Sequence, residues 1–136
     1  MKLNDSSAFV CALGIAAVLI QVDVAVAYEA RLRPQFERLD PQTRLEEVCD
    51  TEVTLRINQD NPQLSVDKVV AYTFKRPAEA HNSLNAEGAV FRSRGRWFHL
   101  EYRCQTGPRH MDVHSLSYNI GAEIDRSQWR RYYLYD

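Results

Sequence analysis

Between Phe91 and Cys104 the chain reads FRSRGRWFHLEYRC, four arginines interleaved with aromatic residues. Guanidinium groups beside aromatic rings serve nucleic-acid platforms, and they also serve carboxylate and aromatic recognition at protein interfaces. The other groups with catalytic or metal-binding potential are His81, His99, His110 and His114 and the acids Glu101, Asp112 and Glu123. His110 and His114 have the i,i+4 spacing that chelates a metal on a helix. On a strand, at roughly 3.3 Å per residue, their rings stand about 13 Å apart. His99 against His114 across neighbouring strands is the one remaining pair, and neither a metal site nor a cofactor is expected. There is no G-x-S-x-G elbow to present a serine nucleophile, and nothing in the spacing of the three acids demands a carboxylate pair.

The first thirty residues decide what the cysteines can do. MKLNDSSAFVCALGIAAVLIQVDVAVAYEA carries Lys2, an apolar run from Ala8 to Ile20 and the small-residue site Ala25-Val26-Ala27. This is the three-part layout of a secretory signal peptide, residues 1–27, with cleavage after Ala27. A membrane span needs about 20 consecutive apolar residues, and Gln21 and Asp23 cut the run short. If left uncleaved, the segment would be the chain's membrane attachment. Residues 28–136 then form a single periplasmic or secreted domain, large enough for a modest core. Cys11 leaves with the signal peptide, and an oxidising compartment favours a Cys49–Cys104 disulfide over two free thiols. No thiol nucleophile remains.

Charge narrows the partners. The whole chain has a formal net charge of −1, and the loss of Lys2, Asp5 and Asp23 leaves the exported part close to neutral. A neutral domain has no global field drawing it to phosphate or to an anionic membrane, so a nucleic-acid partner is not expected. Of 17 basic residues only Lys2, Lys68 and Lys75 are lysines. Arginine favours planar, bidentate pairing with carboxylates or with an acidic partner.

The positioning elements follow from periodicity. Tyr28 to Leu39 is polar and interrupted by Pro34, and promises no more than a short helical turn. Asp40-Pro41 is an N-cap followed by proline at the first helical position, and NQDNP, Asn58 to Pro62, is the stop signal. Within that helix Leu45, Val48, Cys49, Val53, Leu55 and Ile57 share one face, opposite Arg44, Glu46, Glu47, Asp50, Thr51 and Thr54. Glu52 and Arg56 project from the middle of the apolar face. They read either as a helical ion pair whose stems cover apolar surface, or as a partly buried carboxylate set for a ligand or a sheet arginine. Val66 to Lys75 reads as a strand with Val70, Tyr72 and Phe74 on one side, and Arg76 to Gly88 as a polar loop.

Arg94-Gly95 reads as a two-residue hairpin turn. Pairing Ser93 with Arg96 sets Arg92 opposite Trp97, Phe91 opposite Phe98, Val90 opposite His99 and Ala89 opposite Leu100. One face then carries Ala89, Phe91, Phe98, Leu100, Tyr102 and Cys104. Helix periodicity and strand alternation thus each turn a cysteine inward. The other face carries Arg92, Trp97, His99, Glu101 and Arg103, with Arg92 over Trp97 as a cation–π pair. Met111 to Ile124 is a further strand whose apolar residues change phase, the mark of a bulge or of a strand buried on both faces near its start. The tail WRRYYLYD, Trp129 to Asp136, reads as a final edge strand able to pair edge to edge in a dimer. The oligomeric state is otherwise unspecified.

LDPQTRLEEVCD, AVFRSRGRWFHLEYRC and MDVHSLSYNIG together resemble the bacterial domain-of-unknown-function family 930. The resemblance implies a small exported bacterial protein with no assigned activity, and it supplies no site residues.

The expected architecture is α+β: one long helix on an antiparallel sheet of four to five strands, tied by Cys49–Cys104. The expected function is a non-enzymatic binding module for an envelope protein. Its surface would be the exposed hairpin face, Arg92, Trp97, His99 and Arg103, with Arg94 at the tip. The alternative is a small-ligand binder or hydrolase with a pocket between helix and sheet, built from Glu52, Arg56 and Tyr118.

Overall fold

The computed structural model describes residues 24–136, with side chains from Ala30 onward. Residues 1–23, most of the expected signal peptide, lie outside the described residues. Among the described residues no helix is long and apolar enough to cross a membrane.

The central helix, α2, runs Pro41–Asp60. Asp40 caps it as its sequence requires, accepting from the backbone N–H groups of Gln42 and Thr43 at 3.1 Å each. Leu45, Val48, Cys49, Val53 and Ile57 are buried, while Leu55 is half-buried. α2 is not the only helix. Val24–Phe36 forms α1, where the sequence promised no more than a turn; Pro34 falls in its last turn and does not prevent it. Arg44 explains how α1 ends against α2. Its guanidinium donates to the carbonyls of Phe36, Leu39 and Glu37 and reaches that of Arg109, supplying donors to carbonyls that a helix end leaves unpaired.

Five antiparallel strands follow: β1 Val66–Val70, β2 Ala78–Ala80, β3 Ser83–Ser93, β4 Arg96–Thr106 and β5 Val113–Glu123. Their order is β1-β3-β4-β5, with β2 also against β3. The β3–β4 hairpin has the expected register, from Ser93 opposite Arg96 to Ala89 opposite Leu100. Arg94 and Gly95 take φ of 50° and 71°, the two positive values that match the twist of the flanking strands. The phase change in β5 is a bulge: Gln105 pairs with Ser115, but Thr106 with Val113.

Two segments between α2 and the hairpin differ from expectation. The strand from Val66 stops at Val70, and the supposed loop from Arg76 to Gly88 contains β2 and the first half of β3. The cause lies at Gly88. There the backbone of residues 74–75 crosses β3 so closely that a Cβ on Gly88 would stand 2.1 Å from the Lys75 nitrogen, and Phe74 N–H donates to the Gly88 carbonyl at 2.8 Å. Held by this crossing, the chain cannot continue along β3, and Tyr72 is left exposed.

On the inner face of the sheet α2 packs over Leu84, Phe91, Leu100, Tyr102 and Cys104. The disulfide joins α2 to β4 with Cα atoms 5.9 Å apart. The outer face has a second, smaller core of Val90, Trp97, Ile124, Trp129 and Leu134. This corrects two expectations. The tail is not an edge strand but a helical turn, α3 Arg126–Trp129, and a 3₁₀ turn, Arg130–Tyr132. Asp125 caps α3 through the Ser127 N–H at 2.8 Å, and the Trp129 indole donates to the Ile124 carbonyl at 3.0 Å, folding the tail across the sheet. Trp97 is correspondingly not exposed: it is only 2 % accessible, and its indole donates to the Tyr135 carbonyl at 2.9 Å.

Reducing the disulfide, which spans a sequence separation of 55, should cost about 4 kcal/mol by loop-closure entropy, read as a loss in urea-unfolding free energy. Trp97→Ala should cost about 3–5 kcal/mol and lower the melting temperature by more than about 10 °C. An unchanged calorimetric transition would contradict the burial of that indole.

Candidate functional site

The tail that buries Trp97 also builds a cleft. Arg92, at the end of β3, is fixed by a bidentate pair with Asp67, Nε to Oδ1 and Nη2 to Oδ2 at 2.9 Å each, and its guanidinium lies 5.7 Å from the Trp97 ring. These hydrogen bonds hold the Asp67 carboxyl below its ordinary value. Tyr132 packs against Phe74 at 4.3 Å, and Leu134 plugs the outer core. Tyr133 takes a left-handed conformation, φ 55°, and the Leu134 N–H donates to the Trp129 carbonyl at 2.9 Å. With Leu134 turned inward, Tyr133 and Tyr135 on either side of it are left 78 % and 65 % exposed.

Tyr72 faces the same opening at 61 % exposure. Lys68, Tyr72, Arg92, Tyr132, Tyr133 and Tyr135 together line a cleft of about 340 Å³. That is within the range of ligand sites. Tyrosine offers a large, stiff ring with a hydroxyl that can donate and accept, and therefore contact area at low entropic cost. Lys68 is exposed and has no ion-pair partner among the described residues.

The hairpin-face residues do not form one patch. Arg92 belongs to the tyrosine cleft and Trp97 is buried. Arg94 is exposed at the turn, and His99 stays exposed with its ring 4.6 Å from that of Phe74. Arg103 is six residues beyond Trp97 on β4, about 20 Å away, where the tail does not reach. It lines an open polar groove with Asn85, Gln105, Ser115 and Ser117. That groove presents no exposed aromatic anchor.

The alternative pocket is not assembled either. Arg56 donates to Glu52 at 3.1 Å, an i,i+4 helical pair with Glu52 20 % exposed. The cleft beside Glu52, under Phe36, Leu55 and Met111, has only about 40 Å³ of free volume, room for little more than water. Tyr118 stands elsewhere, donating to Asp60 and accepting from Asn61 at the end of α2. Asp112 pairs with Arg33 at 3.5 Å and Glu123 with Arg96 at 3.2 Å, so these acids sit at opposite ends of β5. His110 is a clip, its ring nitrogens 2.8 and 2.9 Å from the carbonyls of Pro41 and His81. No cluster of metal-ligating side chains occurs among the described residues.

One buried acid escaped sequence reasoning. Asp50, assigned by periodicity to the polar face of α2, turns its carboxyl under the sheet and accepts a short hydrogen bond from the Tyr102 hydroxyl. The residue keeps some exposure, but its carboxyl is the inward part. Desolvation pushes that carboxyl up to about 7, with Glu46 and Glu47 adding to the rise and Tyr102 opposing it. Glu46 is raised too, by its own burial and then by Glu47 and Glu79. Tyr102 is held above the ordinary phenol value by burial and by Asp50. The available signal was adjacency: Asp50 follows the core-facing Cys49, and Tyr102 shares its strand face with Cys104.

Unfolded Asp50 ionises near the ordinary aspartate value of 3.8, and the folded carboxyl is pushed up to about 7. Stability from this group is therefore complete below about pH 4 and is lost as pH rises through 7, by on the order of 4 kcal/mol. Asp50→Asn keeps an acceptor for Tyr102. It should remove this loss, so that the variant unfolds at higher urea than the parent at pH 8 and the two converge toward pH 4. Parallel profiles across that window would refute it.

A family model described as Domain of Unknown Function (DUF930) matches residues 36–134. No curated protein and no solved structure matches the chain.

Proposed function

We propose that this chain, which belongs to the DUF930 family, is a non-enzymatic binding module whose recognition surface is the tyrosine cleft. The observation that carries the proposal is convergence. Of the four large apolar side chains exposed among the described residues, Tyr72, Tyr133 and Tyr135 line one cleft, and only Ile120 lies elsewhere. Rigid aromatic anchors beside cationic groups are the composition of interface hot spots. The disulfide fits an oxidising, extracytoplasmic environment. Within that environment we assign the protein to the periplasm or the secreted fraction, after signal-peptide removal at Ala27, with an envelope protein as partner.

Charge selects the partner's chemistry. Asp67 neutralises Arg92, so Lys68 is the cation left to the ligand, surrounded by phenolic hydroxyls. An extended acidic segment satisfies both, with a carboxylate on Lys68 and backbone carbonyls on the tyrosine hydroxyls. The pocket beside Glu52 is not pursued, because its carboxylate is already paired and its free volume admits no ligand of metabolite size.

Native mass spectrometry of the protein isolated from its own envelope fraction should show a chain beginning at Tyr28, two hydrogens light, with a bound protein. Tyr72→Ala with Tyr135→Ala should lower recovery of that protein at least about tenfold, equivalent to 1.4 kcal/mol, while the melting temperature moves by less than about 2 °C. Lys68→Glu should weaken it comparably. Unchanged recovery by both variants would overturn the cleft as the binding surface.

A further inference from the structure

The two edges of the sheet are built differently. On one side β3 is flanked by two short pieces, β1 of five residues and β2 of three, so little continuous edge is presented. On the other side β5 is an eleven-residue strand paired only to β4 among the described residues. Protein sheets protect such edges with lysine, proline, charge or bulges. From Val113 to Ala122 the sequence VHSLSYNIGA contains no proline, lysine, arginine or acid. The two register shifts of the β4–β5 ladder lie near its ends, leaving Ser115 to Ile120 regularly paired between them. Ile120 is 39 % exposed on that stretch, and Tyr118, two residues before it, docks on Asp60, the last residue of α2. Ile120 therefore lies beyond the cover the helix provides.

We propose that β5 is the pairing edge of a two-fold homodimer, in which the β5 strands of two copies join antiparallel into one continuous sheet. A two-fold axis perpendicular to the sheet keeps each face of one copy continuous with the same face of the other, which allows only registers that pair residues of like parity. Centring the pair on Tyr118 keeps the contact within the regular stretch and sets Leu116 opposite Ile120 of the second copy. It buries Ile120, the one large apolar side chain exposed outside the tyrosine cleft among the described residues. On the outer face Ser117 meets Asn119 of the second copy, hydroxyl to amide.

The charged groups at the ends of β5 are paired within each chain. One end of β5 carries Asp112 with Arg33, and the other Glu123 with Arg96. With this register Asp112 of one copy lies beside Glu123 of the other, and each acid is already neutralised within its own chain, by Arg33 and by Arg96. A net charge of −1 per chain adds little long-range repulsion. The tyrosine cleft involves β1 and the tail, so the dimer leaves two clefts open, and such a protein would bind a repeated partner with avidity.

The test is the mass of the full, disulfide-bonded chain by light scattering or sedimentation at about 100 µM, where even a weak edge-to-edge contact is populated. The parent should show twice the mass of a single chain. Ser117→Lys with Asn119→Lys sets lysine against lysine at both symmetry-related positions, and should weaken the dimer at least about tenfold, giving a monomer with unchanged circular dichroism. Ser117→Lys with Asn119→Glu sets lysine against glutamate and should restore the dimer. A parent that stays monomeric, a double-lysine variant that stays dimeric, or a lysine–glutamate variant that stays monomeric would each overturn the proposal.

Discussion

Cys49 and Cys104 fix the rotation of α2 over β4, and the inner face of the sheet is organised around that bond. With Cys49 facing Cys104, Val53 and Ile57 one and two turns on must face the sheet, and the adjacent Asp50 must fall against Tyr102. The short distance between the two chemistries matters physically. A carboxyl placed beside a buried disulfide loses water and stays protonated more readily than an ordinary aspartate. The same constraint that stabilises the domain thus makes one of its acids responsive near neutral pH, chiefly through desolvation.

The two faces of the sheet are covered by different means. A long amphipathic helix covers the inner face. The outer face is only partly covered, by the tail and by the crossing segment around Phe74, which seal Val90 and Trp97 but leave the Arg103 end of β4 open. A tail of eleven residues after Asp125 cannot cover a sheet of eleven-residue strands, so its aromatic residues divide. Trp129 and Leu134 are spent on the core, and Tyr133 and Tyr135 face outward. The cleft is the boundary between covered and uncovered sheet. Its lining is rich in tyrosine because that residue tolerates a half-buried position, ring packed and hydroxyl wet.

Edges complete the picture. Short, divided strands protect one side, whereas β5 presents a long, uncharged edge and one exposed isoleucine. The cleft and the β5 edge lie on opposite sides of the sheet, so the proposed recognition and the proposed pairing do not exclude each other. The family to which the chain belongs carries no assigned activity, and both surfaces follow from the packing of this chain alone.

Local pattern was sufficient for much of the architecture. The Asp40 cap, the α2 face, the Arg94-Gly95 turn, the hairpin register and the inward direction of both cysteines each depend on residues within a few positions of one another. Periods of 3.6 and 2 carry that information directly. What covers the outer face did not follow. Alternation along β4 places Trp97 opposite the core residues, and nothing local states that Ile124 and Trp129, about thirty residues later, will fold over it. The tail's strand-forming composition pointed to an edge strand, but Asp125 capping and burial of the Trp129 indole favoured a helical turn. Likewise the crossing at Gly88, the inward turn of Asp50 and the division of the arginines between cleft and open groove depend on contacts distant in the chain. The sequence by itself therefore determined the α2 helix, the β3–β4 hairpin with its register, and the disulfide. Only the tertiary structure decided which of the two sheet faces, and which aromatic residues on it, remained available to a partner, because burial is a property of everything that packs on a residue and not of its neighbours along the chain.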